Sequence, residues 1–194
     1  MQAFPFYLKL GFEHISNLAG LDHILFLVAL CAVYRLSQWR SILTLVTAFT
    51  VGHTTTLALV TLGTIKIPSE FIEFLIPTTI LITAIGNVMR QPTLEAPPRM
   101  RGKYLLALFF GFIHGMGFSN YFRALLMDEG SVAMPLFAFN LGIELGQLLV
   151  VAVAVGLATV FMGVFRVKHR DWNLFVSGAA FGLSAMMMIE NRFW

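Results

Sequence analysis

Charged side chains are scarce in this chain: Asp, Glu, Lys and Arg make up 12% of its 194 residues, about half the share of an ordinary soluble domain. With 58% hydrophobic residues and a mean hydropathy of +0.80, the composition excludes a water-soluble domain and demands lipid as the solvent. Cysteine is scarcer still. Cys31 is the only one and sits inside an apolar run, which excludes an intrachain disulfide and leaves the redox compartment unspecified. There is no basic stripe with interleaved aromatics, so the net charge of +3 and pI near 9.3 describe membrane topology and not a nucleic-acid partner. The opening "MQAFPFYLKLGF" has neither a basic n-region nor a small-residue cleavage site, and is not expected to be a removable signal peptide. Internal repeats are absent as well.

What the chain does have is apolar length. Six stretches, approximately 17–34, 42–63, 71–89, 104–122, 135–165 and 173–190, approach or exceed the roughly 18 to 20 residues needed to cross a hydrocarbon core. Backbone groups in lipid must be satisfied internally, so these are read as helices. The expected fold class is therefore all-α: one polytopic transmembrane domain over 1–194 with six spans. Residues 4–16, with Phe4, Phe6, Tyr7 and Phe12 beside Lys9 and Glu13, read as a short interfacial helix. The segment 90–103, "RQPTLEAPPRMRGK", reads as a cytoplasmic loop, and 123–134, "RALLMDEGSVAM", as an outer loop. Nine of the thirteen Lys and Arg fall on alternate loops. By the positive-inside rule those loops face the cytoplasm, both termini lie outside, and the protein is multi-pass in the bacterial inner membrane, its partner the lipid bilayer.

The few ionisable residues inside the spans carry the functional information: Asp22, His23, His53, His114 and Glu144, with Asn140 nearby. A charge at membrane depth costs at least a few kcal/mol and is by default a functional residue with a partner to be found. Counting at 1.5 Å per residue places all of them in one layer of the outer half of the bilayer, Asp22 and His23 one to two turns below the surface. His14 joins them if "SNLAG" breaks the helix and lets it fold back. Imidazole nitrogen and carboxylate oxygen are what a divalent metal takes. Zinc is the first expectation, with nickel or cobalt as the alternative. The expected ligands are His14, Asp22, His23, His53 and His114. Glycines four apart, at 111 and 115, 142 and 146, 178 and 182, should let the helices approach closely. Asn140 shares a face with Glu144, and Thr47, Thr50 and Thr54 flank or share a face with His53, where they could hydrogen-bond its second ring nitrogen.

At "HISNLAGLDHILFLVAL", "FTVGHTTTLAL", "GFIHGMGFS" and "FAFNLGIELGQ" the chain resembles the HupE/UreJ family of hydrogenase- and urease-associated membrane proteins. The resemblance implies six spans and a nickel permease or metal-handling accessory. It carries over to His14, Asp22, His23, His53, His114 and Glu144.

Two functions of different class fit these residues. A permease needs polar groups through both halves of the membrane, and the inner half offers only Thr44, Thr83, Asn87, Thr159 and Ser177. A zinc enzyme open to the periplasm needs one half, with the metal polarising a carbonyl or a water and an unligated carboxylate moving the proton. Glu144 is the expected acid/base, Asp22 the alternative. Its substrate would be an exported peptide's N-terminus, by amide hydrolysis or cyclisation of an N-terminal glutamine, or a lipid. The one-sided polarity favours this amidohydrolase or cyclotransferase, with the HupE/UreJ-type nickel or cobalt permease as the alternative.

Overall fold

Eleven helical residues cannot cross about 30 Å of hydrocarbon, and length divides the helices of this chain into two kinds. The computed structural model describes residues 3–18, 20–89, 100–126 and 131–194, and every regular element among them is helical: α1 (Ala3–Ser16), α2 (Leu21–Cys31), a single 3-10 turn (Leu36–Gln38) leading into α3 (Trp39–Thr61), α4 (Ser69–Met89), α5 (Met100–Gly117), α6 (Ser119–Leu125), α7 (Ala133–Gly163) and α8 (His169–Glu190). Four stretches, Leu36–Thr61, Ser69–Met89, Ala133–Gly163 and His169–Glu190, are long and apolar enough to span. Two more qualify as bent pairs, α1 with α2 at 63° and α5 with α6 at 49°.

This corrects the expected first span. Residues 17–34 do not form one helix, and 4–16 is no detached surface helix. Instead α1 lies along α7 with Tyr7, Gly11 and Ile15 buried, and the chain turns between Ser16 and Leu21, where the Asn17 amide donates to the Glu13 carbonyl at 2.9 Å and the Gly20 amide to the Asn17 carbonyl at 3.0 Å. The fourth expected span bends likewise, at Phe118. Of the two expected loops, 90–99 and 127–130 lie outside the described residues. The remainder of 90–103 opens α5.

Missing Cβ atoms decide how the helices pair. A Cβ on Gly52 would run into the Leu108 carbonyl, one on Gly111 into the Phe49 carbonyl and one on Gly115 into the His53 carbonyl, so α3 and α5 meet backbone to backbone. Thr56 Oγ1 seals that contact by donating to the Phe112 carbonyl at 2.8 Å. The α1–α7 crossing repeats the device: Gly11 lies against the Phe139 carbonyl and Gly142 against the Leu8 carbonyl. In both pairs residue numbers rise together along the contact, so the partners run parallel. Gly178 and Gly182, expected to do the same, meet nothing within contact range and leave α8 smooth on that side.

The α4–α8 pair is antiparallel and joined by amides. Asn173 Nδ2 donates to the Asn87 carbonyl at 2.9 Å, and at the other end Asn191 Nδ2 donates to the Glu73 carbonyl at 3.1 Å. Pro77 inside α4 has no N–H to offer the carbonyl four residues back, which is that of Glu73. Asn191 supplies the missing donor, the usual way a proline is accommodated in a membrane helix.

Gly111→Val should therefore destabilise the α3–α5 contact by about 1–3 kcal/mol, the range for forced overpacking. Gly178→Val should leave stability unchanged. Thermal unfolding of the detergent-solubilised variants, read with their size-exclusion profiles, separates the two.

Candidate metal centre

The 63° bend between α1 and α2 brings His14 to within 4.6 Å of His23, ring centroid to ring centroid. The Gly111–Phe49 and Gly115–His53 contacts bring α5 against α3, and His53 and His114 both face His23, at 5.9 and 5.0 Å between centroids. Two ligand groups result. His14, His23 and His53 form one, and Asp22, His23 and His114 the other, each with donor atoms within 4.8 Å of one another. His23 belongs to both.

The nitrogens at this junction are buried and lack protein partners: His14 Nε2, His23 Nε2, both ring nitrogens of His53, and His114 Nδ1. Buried polar atoms are almost always satisfied; partnerless nitrogens on four neighbouring imidazoles are what a cation-binding centre presents. The remaining hydrogen bonds aim the rings. Asp22, in the first turn of α2 where the helix dipole favours an acid, accepts from His23 Nδ1 at 3.2 Å and leaves the Nε2 lone pair for the centre. Thr79 Oγ1 donates its only proton to the Ile76 carbonyl at 2.7 Å. With its proton there it accepts at the 2.9 Å contact with His114 Nε2, the arrangement in which His114 carries its proton on Nε2 and its lone pair on Nδ1. Both are the arrangement by which an outer partner fixes the tautomer of a metal-binding imidazole.

Aromatic rings enclose the cluster. Phe118 lies tilted against His14 at 4.1 Å, and Phe26 and Phe49 lie 5.3 and 5.1 Å from His114. His53 and His114 are fully buried, while the Asp22 side chain keeps 21% of its exposure and marks the accessible side. Thr79, in contact with His114, is the central residue of α4 (Ser69–Met89), so the cluster lies level with the middle of that helix.

Glu144 is not part of either group. It is half-buried on α7 and, among the described residues, has no hydrogen bond or ion pair. Asn140 and the threonines expected at His53 bond elsewhere: Thr54 Oγ1 donates to Asn140 Oδ1 at 2.5 Å, Asn140 Nδ2 donates to the Leu136 carbonyl at 2.7 Å, Thr50 Oγ1 donates to Gln147 Oε1 at 2.6 Å, and Thr47 is exposed. Those three threonine and asparagine side chains tie α3 to α7 without touching the imidazole. Two contributors went unread in the sequence. Gln147, an amide in mid-span within "FNLGIELGQ", carried a polarity signal; Thr79 carried none, since Thr78 and Thr83 beside it look the same.

Thr79→Val keeps the shape and removes the acceptor that holds His114. Metal affinity should fall about 10- to 100-fold, with an unchanged unfolding midpoint, whereas Thr54→Val should bind as the parent does. Titration of the purified protein with Co²⁺, followed by its visible absorption, checks both.

Comparison with known proteins bears on the family of the chain. The family described as HupE / UreJ protein matches residues 1–192, which includes every residue of both ligand groups. No curated protein and no solved structure matches the chain significantly. A match that runs almost end to end settles the family question: this chain is a member of the HupE/UreJ family.

Proposed function

We propose that the protein binds a divalent transition-metal ion, nickel or cobalt, at the centre formed by His14, Asp22, His23, His53 and His114 and carries it across the bacterial inner membrane. The observation that supports this reading best is the pair of ligand groups that share His23, one of them holding the Asp22 carboxylate, in which buried imidazole nitrogens of His14, His23, His53 and His114 have no protein partner. Imidazole and carboxylate suit nickel, cobalt and zinc alike; family membership weights the choice toward the first two.

The setting of the centre supports transport. Secondary transporters place their sites near the bilayer midplane, at interrupted helices. Here the ligands gather at the α1–α2 break, level with the middle of α4. Helix directions are consistent with six crossings: counting each bent pair as one span, alternate spans reverse, so α1 and α7 run together, α3 and α5 run together, and α4 opposes α8. Both termini then lie on the side opposite Arg35 and Arg40, the periplasmic side by the positive-inside rule.

The hydrolase or cyclotransferase reading needs a carboxylate beside the metal and free of it to move a proton; Glu144 is in neither ligand group, and Asp22, the alternative acid/base, is itself a member of one.

Reconstituted into liposomes, the protein should take up ⁶³Ni²⁺ or Co²⁺ saturably. His23→Ala, which removes the ligand common to both groups, should abolish binding and uptake, and Glu144→Gln should retain both. A tightly held zinc ion, no uptake, and an amide-bond activity lost in Glu144→Gln would instead restore the enzyme reading.

A further inference from the structure

The inner half of the chain offers scattered hydroxyls and amides when read as sequence. Folding lines them up. Thr79, Thr83 and Asn87 stand at i, i+4 and i+8 on α4, one face of the helix, and the first of them is already hydrogen-bonded to the metal centre through His114. The last lies in a buried cluster that joins three helices. Asn87 Nδ2 donates to the Ala29 carbonyl of α2 at 2.7 Å and to Ser177 Oγ of α8 at 3.3 Å. Ser177 Oγ donates to Asn173 Oδ1 at 3.0 Å, and Asn173 Nδ2 donates to the Asn87 carbonyl at 2.9 Å. Asn87, Asn173 and Ser177 are 9%, 2% and 0% exposed. Eight residues separate Thr79 from Asn87, about 12 Å along the axis.

The short helix α2 connects the same two points. Its first turn holds Asp22 and His23 at the metal centre, and its last turn holds Ala29 at the amide cluster. A helix oriented so puts its positive end toward the Asp22 carboxylate and its partly negative carbonyl end at Asn87, where it favours a cation.

We propose that this face of α4 is the ion's onward path, and that Asn87, Ser177 and the Ala29 carbonyl form a second, weaker cation site at its inner end. The inference rests on the transport reading. At present Asn87 Nδ2 occupies the spot on which the Ala29 and Ser177 oxygens converge. A half-turn of the amide swaps its N–H donors for Oδ1 and leaves three neutral oxygens around one point. Neutral oxygen ligands hold a first-row dication less firmly than imidazole does, and a conducting protein needs that order, since its cargo must leave as well as arrive. Thr83 is the intermediate step: its hydroxyl proton goes to the Thr79 carbonyl at 2.8 Å, so its oxygen keeps lone pairs for a passing ion.

A network that only fastened helices would answer substitution differently from a path. In proteoliposomes, Thr83→Val and Asn87→Leu should leave Co²⁺ absorption at the imidazole centre within about twofold of the parent. Uptake should fall about tenfold in Asn87→Leu and measurably in Thr83→Val. Asn87→Asp gives the inner site a carboxylate: bound Co²⁺ should rise from one to two per chain and uptake should slow. Uptake at the parent rate in Thr83→Val, with one Co²⁺ per chain in Asn87→Asp, overturns the path even if Asn87→Leu fails to fold. A parent protein that binds Co²⁺ and moves none would sink the transport reading itself, and the path with it.

Discussion

Backbone-to-backbone contact is the constraint on which this structure depends. Helices that carry ordinary side chains at their crossing pack with axes about 8–10 Å apart, and in lipid no hydrophobic effect presses them together. At Gly52, Gly111 and Gly115 on one crossing, and at Gly11 and Gly142 on the other, the facing carbonyls occupy the space a Cβ would need. His53 and His114 follow directly from the first contact, because they flank the touching residues; His14 follows from the second, three residues after Gly11. Imidazole reaches only a few ångströms from its backbone. Shared ligation by separate helices is possible here because the helices first touch.

The second requirement is polar satisfaction without water. Within the aromatic jacket of Phe26, Phe49 and Phe118 an unpaired ring nitrogen has no solvent to fall back on, and leaving it unpaired costs about 1–3 kcal/mol. Asp22 and Thr79 each satisfy one nitrogen of one ring and thereby direct the other inward. The same economy of partners recurs far from the centre, where Asn191 serves the carbonyl that Pro77 abandons, and at Asn87, whose amide and carbonyl engage both neighbouring helices.

Together these features give the bundle an axis with two unlike ends. One end is rich in imidazole and carries the carboxylate; the other is neutral oxygen and amide, with α2 spanning the distance between them. Strong and weak donors arranged in that order are a more useful layout for moving an ion than for holding one as a catalyst.

Residue type and a shared level along the spans were legible without coordinates. Apolar length announced a helical membrane protein, and counting at a constant rise per residue put Asp22, His23, His53 and His114 at one level because depth is a one-dimensional quantity along each span. Motif order alone pointed to the HupE/UreJ family. What folding decided was everything transverse to that axis. Glu144 matched the ligands in depth yet stands apart, Thr50 and Thr54 turned to α7 instead of His53, and Gly178 and Gly182 met no partner, because the azimuth of a helix is set by which neighbour it packs against. The α1–α2 break was suspected from "SNLAG", but its angle, and with it the approach of His14 to His23, depends on the docking of α1 along α7, a contact between residues more than a hundred positions apart. The cluster at Asn87 is of the same kind: Thr79, Thr83 and Asn87 share a face of α4 by spacing alone, but only the pairing of α4 with α8 makes Asn173 and Ser177 their neighbours.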